Sequence, residues 1–328
     1  MKIVKNILIL SLFAGMLHGG GLFPQLGGQR AGTSSFTFLK IKPNARASGM
    51  AESFMALGGD ASVMHYNPAG LIQIGAPSVT FSHLDWYANI SYEYFAISIP
   101  IQYWALGFEA GTLHMPAMEI TTEYKPYGSG EYFNFSNYFF GLSFSRIMSE
   151  RFSFGITGRI AGEEYLHFKS TALLLDLGTY YYTGFKDLRI AVSFLNFGPP
   201  TAPDGTYEYM NKDGILENRE YEKFSPPTTF HLGSAITFYE NRFLNCLFTA
   251  QLNHPVDNAE YFAFGSEVTL LKTLSLRAGY DTNDDNNPFS YGIGFAAEKW
   301  GQSLRIDYAY RDNKYLNRTQ QIQISYNF

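Results

Sequence analysis

The final eight residues, "QIQISYNF", place Ile322, Ile324, Tyr326 and Phe328 on one side and Gln321, Gln323, Ser325 and Asn327 on the other. A period of two marks an extended strand with one apolar and one polar face. The same alternation returns along the chain. "SLRIDYAY" sets Leu304, Ile306, Tyr308 and Tyr310 against Arg305 and Asp307, and "FSFGITGRI" sets Phe152, Phe154, Ile156 and Ile160 against Ser153, Thr157 and Arg159. "LSLRAGY" and "LNCLFTAQL" repeat it, with Ser275 and Arg277, and Thr249 and Gln251, on their polar sides. Past the N-terminus no apolar run approaches the roughly 20 residues of a spanning helix, so helical membrane proteins are excluded.

Composition decides which medium each face meets. Charged residues make up only 16% of the 328 residues and aromatics 17%, against about a quarter charged in a soluble domain. Mean hydropathy is nonetheless -0.12. A transmembrane barrel gives this pairing, because only alternate residues face lipid. Arg on a lipid face near the midplane costs about 2–4 kcal/mol. Arg159, Arg277 and Arg305 are therefore expected in the lumen, beside Tyr92, Tyr94, Thr157, Asp307, Gln321 and Gln323.

Turn signals place strands near residues 76–86, 89–100, 102–120, 132–147, 151–166, 169–183, 186–198, 228–240, 243–254, 260–271, 273–282, 288–299, 301–312 and 317–328. That makes about fourteen, an even number. Tight connections ("PIQ", "MSER", "GFKD", "YENR", "LKT", "KWG") alternate with long polar ones ("EITTEYKPYGSGEY", "DTNDDNNP", residues 198–227). Short turns at one rim and long loops at the other describe an all-β, antiparallel up-and-down barrel in a bacterial outer membrane, with both chain ends periplasmic.

Three segments follow from this. Residues 1–19 read as a signal peptide, with Lys2 and Lys5 before an apolar core at residues 7–16. Residues 76–328 form the barrel. A fourteen-stranded barrel is too wide for its own side chains to fill, so residues 20–75, rich in Ala, Gly and Met, are read as a partly helical plug entering from the periplasmic side. Asp60 is the expected N-cap of a short helix running through Tyr66. Asn67 before Pro68 should end that helix, and Gly70 should allow a sharp exit toward the first strand.

Several classes of chemistry are missing from the sequence. The net charge of -5, with no basic block, gives nucleic acid no footprint. Cys246 is the single cysteine, which rules out an internal disulfide framework. His18, His65, His83, His114, His167, His231 and His254 never stand four residues apart, so no zinc motif exists. The Gly-rich leader lacks the Lys-Ser/Thr of a phosphate loop. Asp281, Asn283, Asp285 and Asn287 alternate as in a calcium loop, but without its Gly at position six or Glu at position twelve. No catalytic residue, cofactor or metal site is assigned, and the chain is not read as an enzyme.

The segment "ARASGMAESFMALGGDASVMHYNPAGL", beginning at Ala45, resembles the N-terminal signature of the PorV/PorQ family, within the superfamily of FadL-like barrels. The likeness covers roughly residues 38–75. It marks Arg46, Gly49, Asp60, Asn67, Pro68, Ala69 and Gly70 as plug-motif positions, the Asn-Pro-Ala triplet lying in the hatch, and departs at Ala51, where Gly is expected. The terminal Phe328 resembles the assembly signal of outer-membrane barrels. The resemblance implies a binding component of type IX secretion or surface attachment, with outer-membrane lipid, secreted cargo and other secretion proteins as partners. The long, Tyr-rich, proline-fenced loop at residues 199–227 suits such recognition. The wider superfamily implies the alternative, a channel for a hydrophobic ligand with a lateral opening at a kinked strand. Gly111 and Pro116, close together in the expected third strand, are the place for that kink.

Overall fold

The computed structural model describes residues 30–166, 168–210, 212, 216–284, 287–299 and 301–328. The expected signal peptide, the first ten residues of the expected plug, His167 and Asp285 lie outside them.

The described residues contain eighteen strands: β1 (Ser78–Asp85), β2 (Ser91–Ile101), β3 (Trp104–His114), β4 (Met118–Glu119), β5 (Tyr132–Phe133), β6 (Phe135–Ser149), β7 (Phe152–Tyr165), β8 (Phe168–Tyr182), β9 (Arg189–Phe197), β10 (Thr206–Met210), β11 (Leu216–Glu220), β12 (Thr229–Glu240), β13 (Leu244–Pro255), β14 (Tyr261–Leu270), β15 (Leu274–Asp281), β16 (Phe289–Lys299), β17 (Gln302–Arg311) and β18 (Thr319–Asn327). Fourteen of these close into one antiparallel barrel, in which β1 pairs with both β2 and β18. The remaining four make two small hairpins within long loops, β4 with β5 and β10 with β11. Ser78 stands opposite Asn327, so the sheet has no free edge there.

The pleat sorts side chains as the alternation requires. Phe81, Leu142, Leu173, Ile293, Ile306 and Ile324 are exposed on the outer face. Their neighbours Ser82, Ser143, Asp307 and Gln323 are buried on the inner one. This apolar exterior on a closed barrel belongs to a bacterial outer-membrane protein. Arg159 and Arg277 are buried inside, and Arg305 lies between the lipid-facing Leu304 and Ile306, on the inner parity.

The longest loops gather at one rim and the tightest turns at the other, although β7 and β8 are joined at the long-loop rim by residues 166–167 alone and β8 and β9 at the other rim by the six residues 183–188. The third strand is shorter than expected. It stops at His114, and the chain continues through residues 115–117 into the β4–β5 hairpin, so Pro116 lies beyond the barrel ladder.

Residues 37–74 run inside the barrel and touch it around its circumference. Helix Ala61–His65 packs on β1, β2 and β3; helix Pro68–Ile74 on β6, β7 and β8; helix Ala45–Ser48 on β16, β17 and β18. Asp60 caps Ala61–His65, a 3-10 helix, by accepting from the Ser62 amide at 3.0 Å. Asn67 is extended and becomes the N-cap of the next helix, with Pro68 at its first turn. One expectation is corrected. Gly70 sits inside Pro68–Ile74, where a Cβ would meet Val63 Cγ2 at 2.6 Å, and the left-handed exit is made by Gly75 at φ 73°. The described start of the segment lies at the long-loop mouth, where the Ser35 amide donates to the Ser225 carbonyl at 3.0 Å. From there the described chain descends to the short-turn rim and β1.

Candidate functional site: the inner segment, its wall and the outer vestibule

The wall carries glycines where the inner backbone comes closest. A side chain at Gly178 would overlap Asn67 Oδ1, and one at Gly279 would overlap the Ala51 amide. Ala51 departs from the expected Gly and still sits in the left-handed region at φ 52°; Gly279 on β15 supplies the clearance instead. The Ala51 amide donates to Ser290 Oγ at 2.8 Å.

The Asn-Pro-Ala triplet binds the wall directly. Asn67 Oδ1 accepts from the Ala69 amide at 3.0 Å, while its Nδ2 donates to the Thr179 carbonyl on β8 at 3.0 Å. The Ala69 carbonyl accepts from Ser145 Oγ and Ser153 Oγ at 3.3 and 3.2 Å. Asp60 gathers Asn44, Ser62 and, at 3.2 Å, the Gln323 amide of β18. Gly49 ends helix Ala45–Ser48, and a Cβ there would stand 2.9 Å from the Gly292 Cα. Six of the plug-motif positions thus lie at contacts that seat the segment; Gly70 packs internally.

Two buried ionic clusters complete the anchoring. Arg46 grips Glu267 bidentately, Nε at 2.7 Å and Nη2 at 2.6 Å, and donates to the Gly58 carbonyl. Glu267 also accepts from Arg277 Nε at 2.5 Å, and Arg277 pairs with Asp307 at 2.7 Å. On the opposite wall Arg159 joins Glu109 (2.7 Å), Asp176 (2.9 Å) and Asn196 (2.7 Å). Glu109 further accepts from Tyr94 at 2.9 Å and meets His65 Nδ1 of the inner segment at 3.1 Å. Buried charges need such partners. Sequence placed Arg159, Arg277 and Asp307 in the lumen, but missed Glu109, Asp176 and Glu267; each lies on the inner parity of its strand, which is the signal that could have found them.

Burial pushes the His65 imidazole down to about 4, with Glu109 opposing, and brings the Lys42 ammonium down to about 8 against the pull of Glu52. It raises the Glu52 carboxyl, although Ser48 and Tyr66 donate to it.

The expected kink is not formed at Gly111 or Pro116. Gly111 pairs with Tyr94 on one side and Phe139 on the other, so the β3 ladder is continuous there. Among the described strands the register shifts at three places, between Ile147 and Ser149 on β6, between Leu175 and Leu177 on β8 and between Thr237 and Tyr239 on β12; at the second of these Asn196 on β9 adopts φ 58°. Asp176 accepts from the Asn196 amide at 2.6 Å across this bulge, and beyond it the Asp204 amide reaches the Lys169 carbonyl at 2.8 Å. Phe328 follows β18, its amide donating to the Pro77 carbonyl at 2.9 Å and its ring edge-on to Tyr326.

Above the inner segment, within the long-loop rim, the vestibule holds two chambers of about 430 and 280 Å³. Both are bounded by Lys40, Lys42, Tyr261, Asp281, Asp284 and Arg311. Lys40 is paired with Asp257, and Arg311 with Asp284 at 2.7 Å.

The barrel with its occupied lumen matches solved structures of outer-membrane channels. The monoaromatic hydrocarbon channel CymD superposes with a TM-score of 0.56 at 13% identity, over 88% of this chain and 98% of that one. The Pseudomonas putida toluene transporter TodX gives 0.56 at 9%, over 88% and 99%. A Pseudomonas aeruginosa FadL homologue gives 0.55 at 11%, over 88% and 98%. The chain has the fold of the FadL-like channels. No protein-family model matches it, and no curated protein matches it in sequence. The PorV/PorQ likeness rests on the motif residues alone.

Proposed function

We propose that this chain is an outer-membrane channel for small hydrophobic molecules, with residues 37–74 as its gate. The fold shared with the hydrocarbon and toluene channels supports the substrate class. The observation that carries the gate is the inner segment itself, held to the wall on all sides by Asn67, Asp60, Arg46 and the wall glycines. A segment so seated leaves no wide aqueous bore, which argues against an open diffusion pore. The protein acts by binding and passage and performs no chemistry on its solute.

Cells lacking the gene and cells carrying it on a plasmid would be compared for uptake of radiolabelled toluene. Faster uptake with the full chain is expected; equal rates would sink the reading.

A role in secretion or surface attachment stands second. It draws on the exposed loop at residues 199–227, where β10 and β11 project Tyr207, Tyr209 and Met210. Crosslinking in intact cells separates the two: capture of secreted proteins through a shared terminal domain would favour the second reading.

A further inference from the structure

The short-turn rim carries an arginine on the face that meets lipid. Arg146 on β6 is exposed and shares the outer parity of the exposed Leu142 and Phe144. Among the described residues it is the one arginine of a barrel strand on that parity, and it makes no hydrogen bond or ion pair. Its cross-strand neighbours are Trp104 on β3 and Phe154 on β7, and the Trp104 and Phe144 rings lie 6.2 Å apart. Tyr103, in the turn before β3, is 68% exposed. Rings of this kind mark the level where hydrocarbon gives way to headgroups. Only residues 147–149 separate Arg146 from the turn at residues 150–151. The guanidinium therefore stands at the membrane boundary, where an outward charge costs far less than at the midplane.

The surroundings define what meets it. Turns at this rim carry Arg151, Lys186, Arg242 and Lys272, all exposed. Arg151 reaches over Gly184 in the β8–β9 turn, the turn that holds Lys186. Of the acids in these turns, Asp187 is taken up by Arg189 and the Thr237 amide, which leaves Glu150. Glu240 and Glu298 end β12 and β16, farther round the wall. At the opposite rim acids outnumber bases, as in residues 115–134 and 199–227. A lipid phosphate supplies the charge-assisted acceptor that the guanidinium lacks, and its acyl chains cover the rings. A zwitterionic headgroup adds an ammonium, which Arg151 and Lys186 repel. A free phosphate ion gains nothing from Trp104 and Phe144.

We propose that Arg146, with Trp104 beside it, is a binding site for an anionic glycerophospholipid of the periplasmic leaflet, the phosphate meeting the guanidinium and the acyl chains lying on the rings. This site goes beyond the channel reading and does not depend on it.

The test reads Trp104 fluorescence in the full-length chain carrying Trp86→Phe and Trp300→Phe, which leaves one of the three tryptophans. The protein is reconstituted in phosphatidylcholine vesicles with graded dibrominated phosphatidylglycerol or dibrominated phosphatidylethanolamine, since bromine quenches an indole that it touches. Half-maximal quenching is expected at about fivefold less phosphatidylglycerol than phosphatidylethanolamine. Arg146→Gln should erase that preference, and Arg242→Gln, on the β12–β13 turn, should keep it. High salt should narrow it in the unsubstituted site, a reading of the same contact if Arg146→Gln shows no heat-modifiable migration. The proposal is overturned if the two lipids quench alike, if Arg146→Gln keeps the preference or Arg242→Gln erases it, if high salt leaves it untouched, or if inorganic phosphate at constant ionic strength abolishes it. Selective quenching without toluene uptake would sink the channel reading and leave this one standing.

Discussion

Ala51 holds a left-handed backbone that costs an L-residue about 1–2 kcal/mol, yet its amide is fixed on Ser290. Ala51→Gly removes that strain at some entropic expense in the unfolded chain, so a gain of about 0.5–1 kcal/mol is expected, read as a higher temperature for the shift from folded to unfolded migration. His65 makes a pH prediction. Its pKa falls from 6.5 to about 4 on folding, so between those values the unfolded chain binds the extra proton. Stability is therefore lost as pH drops from 6.5 toward 4, by up to about 1.4 kcal/mol per unit. His65→Gln should flatten that limb relative to the parent protein in thermal melts; parallel profiles would refute the assignment.

Among elements, the barrel strands were legible because parity is rigid: a strand such as β17 must send Leu304 and Ile306 out if Asp307 is to stay dry and paired. The end of β3 was not, because Pro116 can sit inside a bulge or just past a strand, and only the β4–β5 hairpin decides between them. Gly70 was misplaced for a similar reason. A glycine reads as a turn from its freedom alone, whereas here it is required by the contact with Val63, and Gly75 makes the turn. The ionic partners on β3, β8 and β14 were invisible as pairs, since Glu109, Asp176 and Arg159 come together only when β6 and β7 lie between and beside them. Strands β10 and β11 present exposed residues at every position. Deleting residues 206–220 is expected to leave heat-modifiable migration and the melting temperature within a few degrees of the parent, as loop insertions and deletions usually do. A large fall would mean that the hairpin braces the rim.

At the scale of the whole molecule the inner segment and the wall share charges, so the proposed gate should be electrostatically tunable. Arg46→Ala leaves Glu267 still bound to Arg277, whereas Glu267→Ala removes the carboxylate that both guanidiniums share, leaving Arg277 with Asp307 and Arg46 with the Gly58 carbonyl. Breaking a buried pair in the second way costs about 3–5 kcal/mol. In planar bilayers the parent should conduct little, Arg46→Ala should show rare openings, and Glu267→Ala frequent ones; the reverse order would separate the pair from gating. The pairing of β1 with β18 adds a constraint on biogenesis. Residues 30–35 already rest at the far mouth while residues 75–78 leave by the near rim, so the cylinder surrounds a thread that spans its height. The seam of Ser78 against Asn327 joins the strand into which the thread leads, so a wall that closed first would have to admit residues 30–74 through its finished mouth.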